Sequence, residues 1–329
     1  MPLRGIAGTV YNAGRRLEFS PPRDRIHNLD RLPFPLHDLE AAKRSRVCGV
    51  WDRPVEEQIV ASVTYSRGCS GHCKFCSSNQ VWGRQTIWRS AGNMVDEILE
   101  LKAMGVNSLQ FSDPTFNVSL KKVEELCNEM IKRDAIISWF GFCDPSLPNQ
   151  TPEILELMHA AGCRKVGLGI EDPYIRSSVK KRSDNFEQVR RYVRTTHEAG
   201  IIVRAYLFIG HPEQYARNYL ATSAFMRQEP VDEIRITIYT PLPGTESWNE
   251  MEVSGGLLTR DLRLFDTNHL VIKSRCTPKE AVEVRRELAR SFYNSREYQE
   301  RKILRISQGY SPQTYAFLEE HLRRGAFMD

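Results

Sequence analysis

The sequence predicts an α/β fold, a partial (β/α)6 TIM-type barrel with an N-terminal extended arm and a helical C-terminal extension. Three observations predict it. From about residue 58, short apolar, β-branched runs alternate with amphipathic helices, the pattern of a parallel sheet built from βα units. The triplets Ala103-Met104-Gly105, Ala160-Ala161-Gly162 and Glu198-Ala199-Gly200 each end a helix shortly before a strand, and glycine there can take the left-handed conformation that stops a helix. The strand candidates are residues 59–65, 108–112, 136–142, 165–170, 202–209 and 234–240. Six such units suit a barrel open on one side better than a closed eight-stranded one.

Residues 1–57 form the arm. Val10 to Phe19 reads as a hairpin turning at Asn12-Ala13-Gly14, and Pro21, Pro22, Pro33 and Pro35 then forbid a long helix or a central strand. Residues 58–245 hold the barrel. Its helices are marked by a stripe at Val123, Leu126, Cys127, Met130 and Ile131, by Thr151-Pro152 as N-cap and first helical position, and by Asp184 with Glu187 as a capping box. Thr240-Pro241-Leu242-Pro243-Gly244 closes the sixth unit. Residues 246–329 form the extension, with a capping box at Thr277-Pro278-Lys279-Glu280 and a further helix opening at Ser311-Pro312.

Composition removes several classes of function. With 41% hydrophobic and 26% charged residues the chain is an ordinary globular protein, and its net charge of +5 is spread as scattered arginine rather than as a nucleic-acid footprint. No run reaches the ~18 to 20 apolar residues that span a bilayer, and Met1 to Ala7 lacks a signal core, so no membrane partner and a cytoplasmic location are expected. Eight cysteines in a reducing compartment then point to metal binding or catalysis by a subset of them.

That subset is the loop Arg67-Gly68-Cys69-Ser70-Gly71-His72-Cys73-Lys74-Phe75-Cys76, directly after the first strand, where α/β barrels carry their active sites. Thiols spaced C-x3-C-x2-C are expected to converge on a metal centre. One reading is structural zinc completed by His72, within a binding module for RNA. Zinc sites usually join two knuckles distant in sequence, however, and adjacent His72 and Cys73 are poorly placed to face one ion. The other reading is an iron–sulfur cluster held by Cys69, Cys73 and Cys76, with one iron left open for chemistry.

The motif, with aromatic Phe75 before its last cysteine, resembles that of the radical S-adenosylmethionine (SAM) superfamily, and the resemblance covers residues 58–245. It implies one 4Fe-4S cluster whose open iron chelates SAM. It also implies cleavage of SAM to methionine and a 5′-deoxyadenosyl radical that abstracts hydrogen from substrate, and a flavodoxin- or ferredoxin-type electron donor. By the same resemblance Phe75, Ser112, Asp113, Glu171, Arg204 and Gly210 are candidates for SAM binding. Ser112 and Asp113 end strand two near the methionine amine, and Gly210 lies in the segment that backs the adenine. Tyr206 stands where that segment usually has glycine. Glu171 and Cys143 are the catalytic candidates, Cys143 as a hydrogen-atom donor. The duller readings are helix capping for Asp113 and Glu171, an internal ion pair for Arg204, a turn residue at His211 and a buried thiol at Cys143.

The arm from Gly8 to Pro35 resembles the linker that joins a cobalamin domain to the radical domain in cobalamin-class enzymes, yet no D-x-H-x-x-G cobalamin fingerprint occurs. The expectation is a member of that lineage without its cobalamin module. Cys48, Cys127, Cys143, Cys163 and Cys276 lack the paired spacing of a second cluster. The reaction expected is then on a small molecule, a sugar or nucleoside of antibiotic biosynthesis, with decarboxylation of a uronic-acid-bearing nucleoside first. The alternatives are a sugar dehydratase or deoxygenase, or a methyltransferase component that uses a separate cobalamin subunit. Arg84, Arg89, Arg204 and Arg235 are the candidate partners of an acidic substrate.

Overall fold

Six parallel strands form one sheet in the computed structural model, which describes residues 5–14, 16–44, 52–147, 151–180 and 186–323. They are β1 Val60–Val63, β2 Ser108–Phe111, β3 Ser138–Cys143, β4 Cys163–Glu171, β5 Ile202–Ile209 and β6 Glu233–Ile238. Each strand pairs in parallel with the next in sequence, so β1 and β6 are the two edges and the curved sheet stays open between them. All six expected strands are present, with ends shifted by a few residues.

The helices of the barrel are α1 Ala91–Ala103, α2 Leu120–Lys132, α3 Pro152–Ala160, α4 Phe186–Glu198 and α5 Ala216–Gln228. Ser90 caps α1 by accepting from the amide of Asn93 at 3.2 Å. In α2 the expected stripe buries Val123, Leu126, Cys127 and Met130, while Ile131 lies beyond its edge and is exposed. Thr151 is the N-cap of α3 but makes no capping hydrogen bond, and Pro152 alone marks the start. Gly105, Gly162 and Gly200 have the positive φ that ends their helices. Asp184, half of the expected capping box of α4, and Cys48 lie outside the described residues.

The arm contains the expected antiparallel hairpin, Val10–Asn12 with Leu17–Phe19. It then crosses to the head of α1. Leu29 is buried, Asp30 accepts from the amide of Ser90 at 2.9 Å, and His37 meets Glu97 at 3.3 Å.

After β6 come α6 Glu246–Val253, α7 Pro278–Tyr293, α8 Arg296–Ser307 and α9 Pro312–Arg323. The capping box at Thr277 and Glu280 is formed. This extension covers the edge of β6, whose outward amides need partners. The hydroxyl of Tyr293 accepts from Ile234 N at 3.2 Å, and the carbonyl of Thr267 accepts from Ile238 N at 2.7 Å. A buried ion pair fastens α8 beneath the sheet: Arg305 donates to both oxygens of Asp232 at 3.0 and 3.1 Å and to the Ile201 carbonyl at 2.9 Å. Asp232 also accepts from Val203 N at 2.9 Å, so one carboxylate joins β5, β6 and α8.

Arg305→Ala leaves that carboxylate buried without its cation and is expected to lower stability by about 3–5 kcal/mol, read by urea unfolding. Burial alone would raise the Asp232 pKa, but Arg305 and His197 outweigh it and hold the group at about 2. Its folded pKa lies below its ordinary value. The stabilisation is therefore complete above the ordinary carboxylate range and is lost as pH falls toward 2, a decline that Arg305→Ala should abolish.

Candidate active site

The inner faces of the strands form a lumen, and alternation along each strand decides which residues reach it. Phe140 and Phe142 of β3, Lys165, Gly167 and Gly169 of β4, Arg204 and Tyr206 of β5, and Glu233 of β6 share it. Phe140 packs on Phe142 at 4.9 Å between ring centroids and Phe142 on Tyr206 at 5.6 Å. At its floor Glu233 pairs with both Arg204 and Lys165, the latter at 3.2 Å. Burial opposes the Glu233 carboxylate, yet Arg204 and Lys165 hold it below its ordinary pKa. Gly167 is needed for space, since a Cβ there would lie 2.7 Å from the Tyr206 ring.

The cysteine loop crosses the upper end of this lumen. It leaves β1 through Tyr65 and Ser66, whose amides donate to the Asp113 carboxylate at 3.0 and 2.5 Å, as does the Ser66 hydroxyl at 2.5 Å. Ser66–Arg67 pairs with Ile87–Trp88, and Gly68, at φ +98°, lies so close to that second strand that a Cβ would meet the Gln85 carbonyl at 2.1 Å. Further along, Lys74 N donates to Val179 O at 2.9 Å, the Lys74 carbonyl accepts from Ser247 N at 3.0 Å, and the Lys74 ammonium meets Glu250 at 2.8 Å. The loop is thus tied to β2, to the helix Arg176–Lys180 and to α6 at once.

Cys69, Cys73 and Cys76 are all partly buried on this loop. Cys69 Sγ accepts from Gly71 N at 3.4 Å and lies 3.4 Å from the Thr115 hydroxyl. Burial pushes the Cys73 thiol up to about 11, with Lys180 acting in the opposite direction. Among the described residues no three Cys, His, Asp or Glu side chains stand around one ion position, and His72 is exposed. A single ion needs every donor within about 2.3 Å of one point. A cuboidal cluster takes each cysteine on a different iron, and three free thiols on one short loop are a donor set that fits such a cluster.

Phe75 stacks edge-on against Phe208 and Tyr239 at 6.0 and 6.3 Å, and His211 completes this aromatic group 4.5 Å from Tyr239. Gly210 follows β5 with φ +82°. Ser112 is exposed at the end of β2. Glu171 ends β4 after a bulge and has φ +65°, a conformation that costs a non-glycine residue about 1 kcal/mol or more. The bulge carries its carboxylate back over Gly169, where a Cβ would approach Oε1 to 2.7 Å, and toward Lys180 at 3.5 Å. Its neighbour Asp172 does the helix capping instead, accepting from Tyr174 N at 2.8 Å and Ile175 N at 3.1 Å.

Three candidates are corrected. Asp113 is buried with its carboxylate engaged by Tyr65 and Ser66, so it positions the loop and is closed to a ligand; burial pushes it up to about 6 against those donors. Arg204 lies low in the lumen in its pair with Glu233. Cys143 falls on the outer face of β3, because Phe140 and Phe142 hold the inner one. It is buried in the helix-facing core beside Tyr192, and burial pushes its thiol up to about 12, so it is a packing residue. Of the remaining arginines, Arg89 is buried against Glu97 and Arg84 is exposed.

Sequence alone does not single out Lys180, Tyr239 or the pair Gly167 and Gly169. The glycines did carry a signal: two on one face of a strand let side chains of other elements close over that face.

A family model for the radical SAM superfamily matches residues 63–246, over half of the chain. An uncharacterised methyltransferase of Pyrococcus horikoshii is 28% identical over 299 residues, 88% of this chain and 62% of that protein. The hopanoid C-3 methylase of Methylococcus capsulatus is 28% identical over 278 residues, 82% of this chain and 49% of that protein. The chain thus spans about half to three-fifths of these relatives. In fold it is similar to the radical SAM methyltransferase TsrM of Kitasatospora setae, solved with cobalamin and a 4Fe-4S cluster. The TM-score is 0.63 at 21% identity, over 78% of this chain and 51% of that one.

Asp113→Ala removes three hydrogen bonds to the root of the cysteine loop and is expected to lower bound iron per chain at least as much as SAM affinity. Glu171→Ala should leave iron content near normal and weaken SAM binding. Equal iron loss in the two variants would make Glu171 a folding residue.

Proposed function

The chain belongs to the radical SAM superfamily, and on that premise we propose that it serves cobalamin-class methyl transfer to a small molecule, the cobalamin being held outside residues 1–329. It is a radical SAM enzyme whose cofactors are a 4Fe-4S cluster and SAM. The observation that carries the methyl-transfer reading is that relatives similar over 82% to 88% of the chain are a methylase and a methyltransferase. Decarboxylation of a uronic-acid-bearing nucleoside has no such support, and two of the arginines invoked for it, Arg89 and Arg204, are engaged in internal ion pairs.

In this reading Cys69, Cys73 and Cys76 hold the cluster, and Phe75 seats the loop on the aromatic group of Phe208 and Tyr239. When bound, the cluster supplies the electron that breaks a carbon–sulfur bond of SAM. The partly buried Glu171 carboxylate, its charge shared with Lys180, takes the ammonium of the methionine moiety. Gly210 follows the adjacent strand β5, and Ser112 follows β2, two strands away on the other side. The ties of the loop to Asp113, Val179 and Ser247 keep the site rigid and limit water above the lumen. Ferredoxin- or flavodoxin-type proteins suit the role of electron donor.

The test is anaerobic reconstitution with iron and sulfide, reduction, and incubation with SAM and hydroxocobalamin. Methyl transfer expects methylcobalamin and S-adenosylhomocysteine; 5′-deoxyadenosine as the sole product of SAM would overturn it. Replacing any one of Cys69, Cys73 or Cys76 by alanine should abolish SAM cleavage, and turnover retained in one variant would remove that residue from the ligand set.

A further inference from the structure

One lumen cation has no protein partner among the described residues. Arg235 is on β6, two residues after Glu233 and therefore on the same inner face, and it stands opposite Tyr206 in the register of β5 and β6. Its strand neighbours Ile234 and Ile236 are buried in the helix-facing core, whereas Arg235 is only partly buried. Among the described residues its side chain makes no hydrogen bond or ion pair, unlike the floor cations Lys165 and Arg204, which share Glu233, and Lys180, which meets Glu171.

The surroundings favour an anion. Below Arg235 two cations face a single carboxylate, so the floor of the lumen already carries surplus positive charge. Phe140 offers its face to both floor cations, at 5.3 Å from the Lys165 ammonium and 5.5 Å from the Arg204 guanidinium. The walls are the rings of Phe142 and Tyr206, which close over Gly167 of β4, while the Glu171 carboxylate and the Lys180 ammonium lie over Gly169. A partly desolvated guanidinium with no counter-charge costs free energy unless a ligand supplies one.

We propose that Arg235 anchors a negatively charged group of the substrate, so that the enzyme takes an anionic small molecule with a flat or apolar body, a carboxylate or phosphoryl ester rather than a neutral one. The assignment rests on the radical SAM reading proposed above, takes the lumen below the cysteine loop as the substrate chamber, and adds the substrate's chemical class.

The probes are 8-anilinonaphthalene-1-sulfonate and its uncharged analogue N-phenyl-1-naphthylamine, titrated by fluorescence into the full reconstituted chain. Arg235→Gln should weaken the sulfonate roughly tenfold or more and shift the neutral dye by less than about twofold. Arg235→Lys should restore part of the loss, and Arg84→Gln, an exposed arginine outside the lumen, should change neither dye. In the unaltered protein, sodium sulfate at matched ionic strength should displace the sulfonate and leave the neutral dye bound, a result that does not depend on how a variant folds. Unchanged sulfonate affinity in Arg235→Gln, equal loss in Arg84→Gln, or no displacement by sulfate would each overturn the proposal. SAM cleavage by the unaltered protein is measured in the same preparations. Its absence would count against the functional reading, and an unchanged dye affinity with cleavage intact counts against Arg235 alone.

Discussion

Successive side chains along a strand point to opposite sides, and in this open barrel the two sides meet unlike environments. The outer side is sealed by helices and accepts only apolar groups: Val166, Leu168 and Ile170 of β4, Val203, Ala205 and Leu207 of β5, Ile234, Ile236 and Ile238 of β6. The inner side borders a solvent-reaching lumen and can hold charge. A shift of one residue moves a side chain from one regime to the other. That constraint makes Cys143 a core thiol although it ends a strand on the active side, and it puts Arg235 in the lumen although it is flanked by isoleucines.

Where the strands end, alternation no longer controls direction, and specific interactions take over. The Asp113 carboxylate fixes the backbone at Tyr65 and Ser66, so the cysteine loop starts from one defined point rather than from a fraying strand. The bulge before Glu171 breaks the register with β5, and left-handed backbone returns the carboxylate to the lumen side over a glycine that leaves room for it. Both devices lie at the carboxyl ends of strands, where loops from separate βα units meet. The extension contributes as well: Ser247 and Glu250 of α6 hold the middle of the cysteine loop, while Tyr293 and Thr267 close the edge of β6.

The fold was legible because its signals are local. Runs of β-branched residues, helix-stopping glycines and the capping box at Thr277 each depend on a few neighbouring residues, and all six strands and that box are present. The C-x3-C-x2-C spacing is local too. The partners of the other candidates are not. Asp113 is committed by residues 47 and 48 positions away and Arg204 by a residue on the next strand, and neither spacing repeats in the sequence. Glu171 and Asp172 form a pair in which one carboxylate caps and one faces the site, and only the bulge decides which. Lys180 belongs to a five-residue helix with no periodicity to mark it.

A charged lumen is an expensive interior, and the arrangement of its charges indicates what it is for. Lys165 and Glu233 are almost fully buried, and each such group loses far more in hydration than a surface ion pair returns. A purely structural barrel would place well-packed apolar side chains there at less cost. The floor cations and Glu233 satisfy one another and define a rigid polar base, so nothing arriving from above has to reorganise it. Arg235, one step higher on β6, is the place where that mutual satisfaction stops. A ligand anion there would complete the pattern that Glu233 begins below, and would return on binding the free energy that a guanidinium without a counter-charge costs.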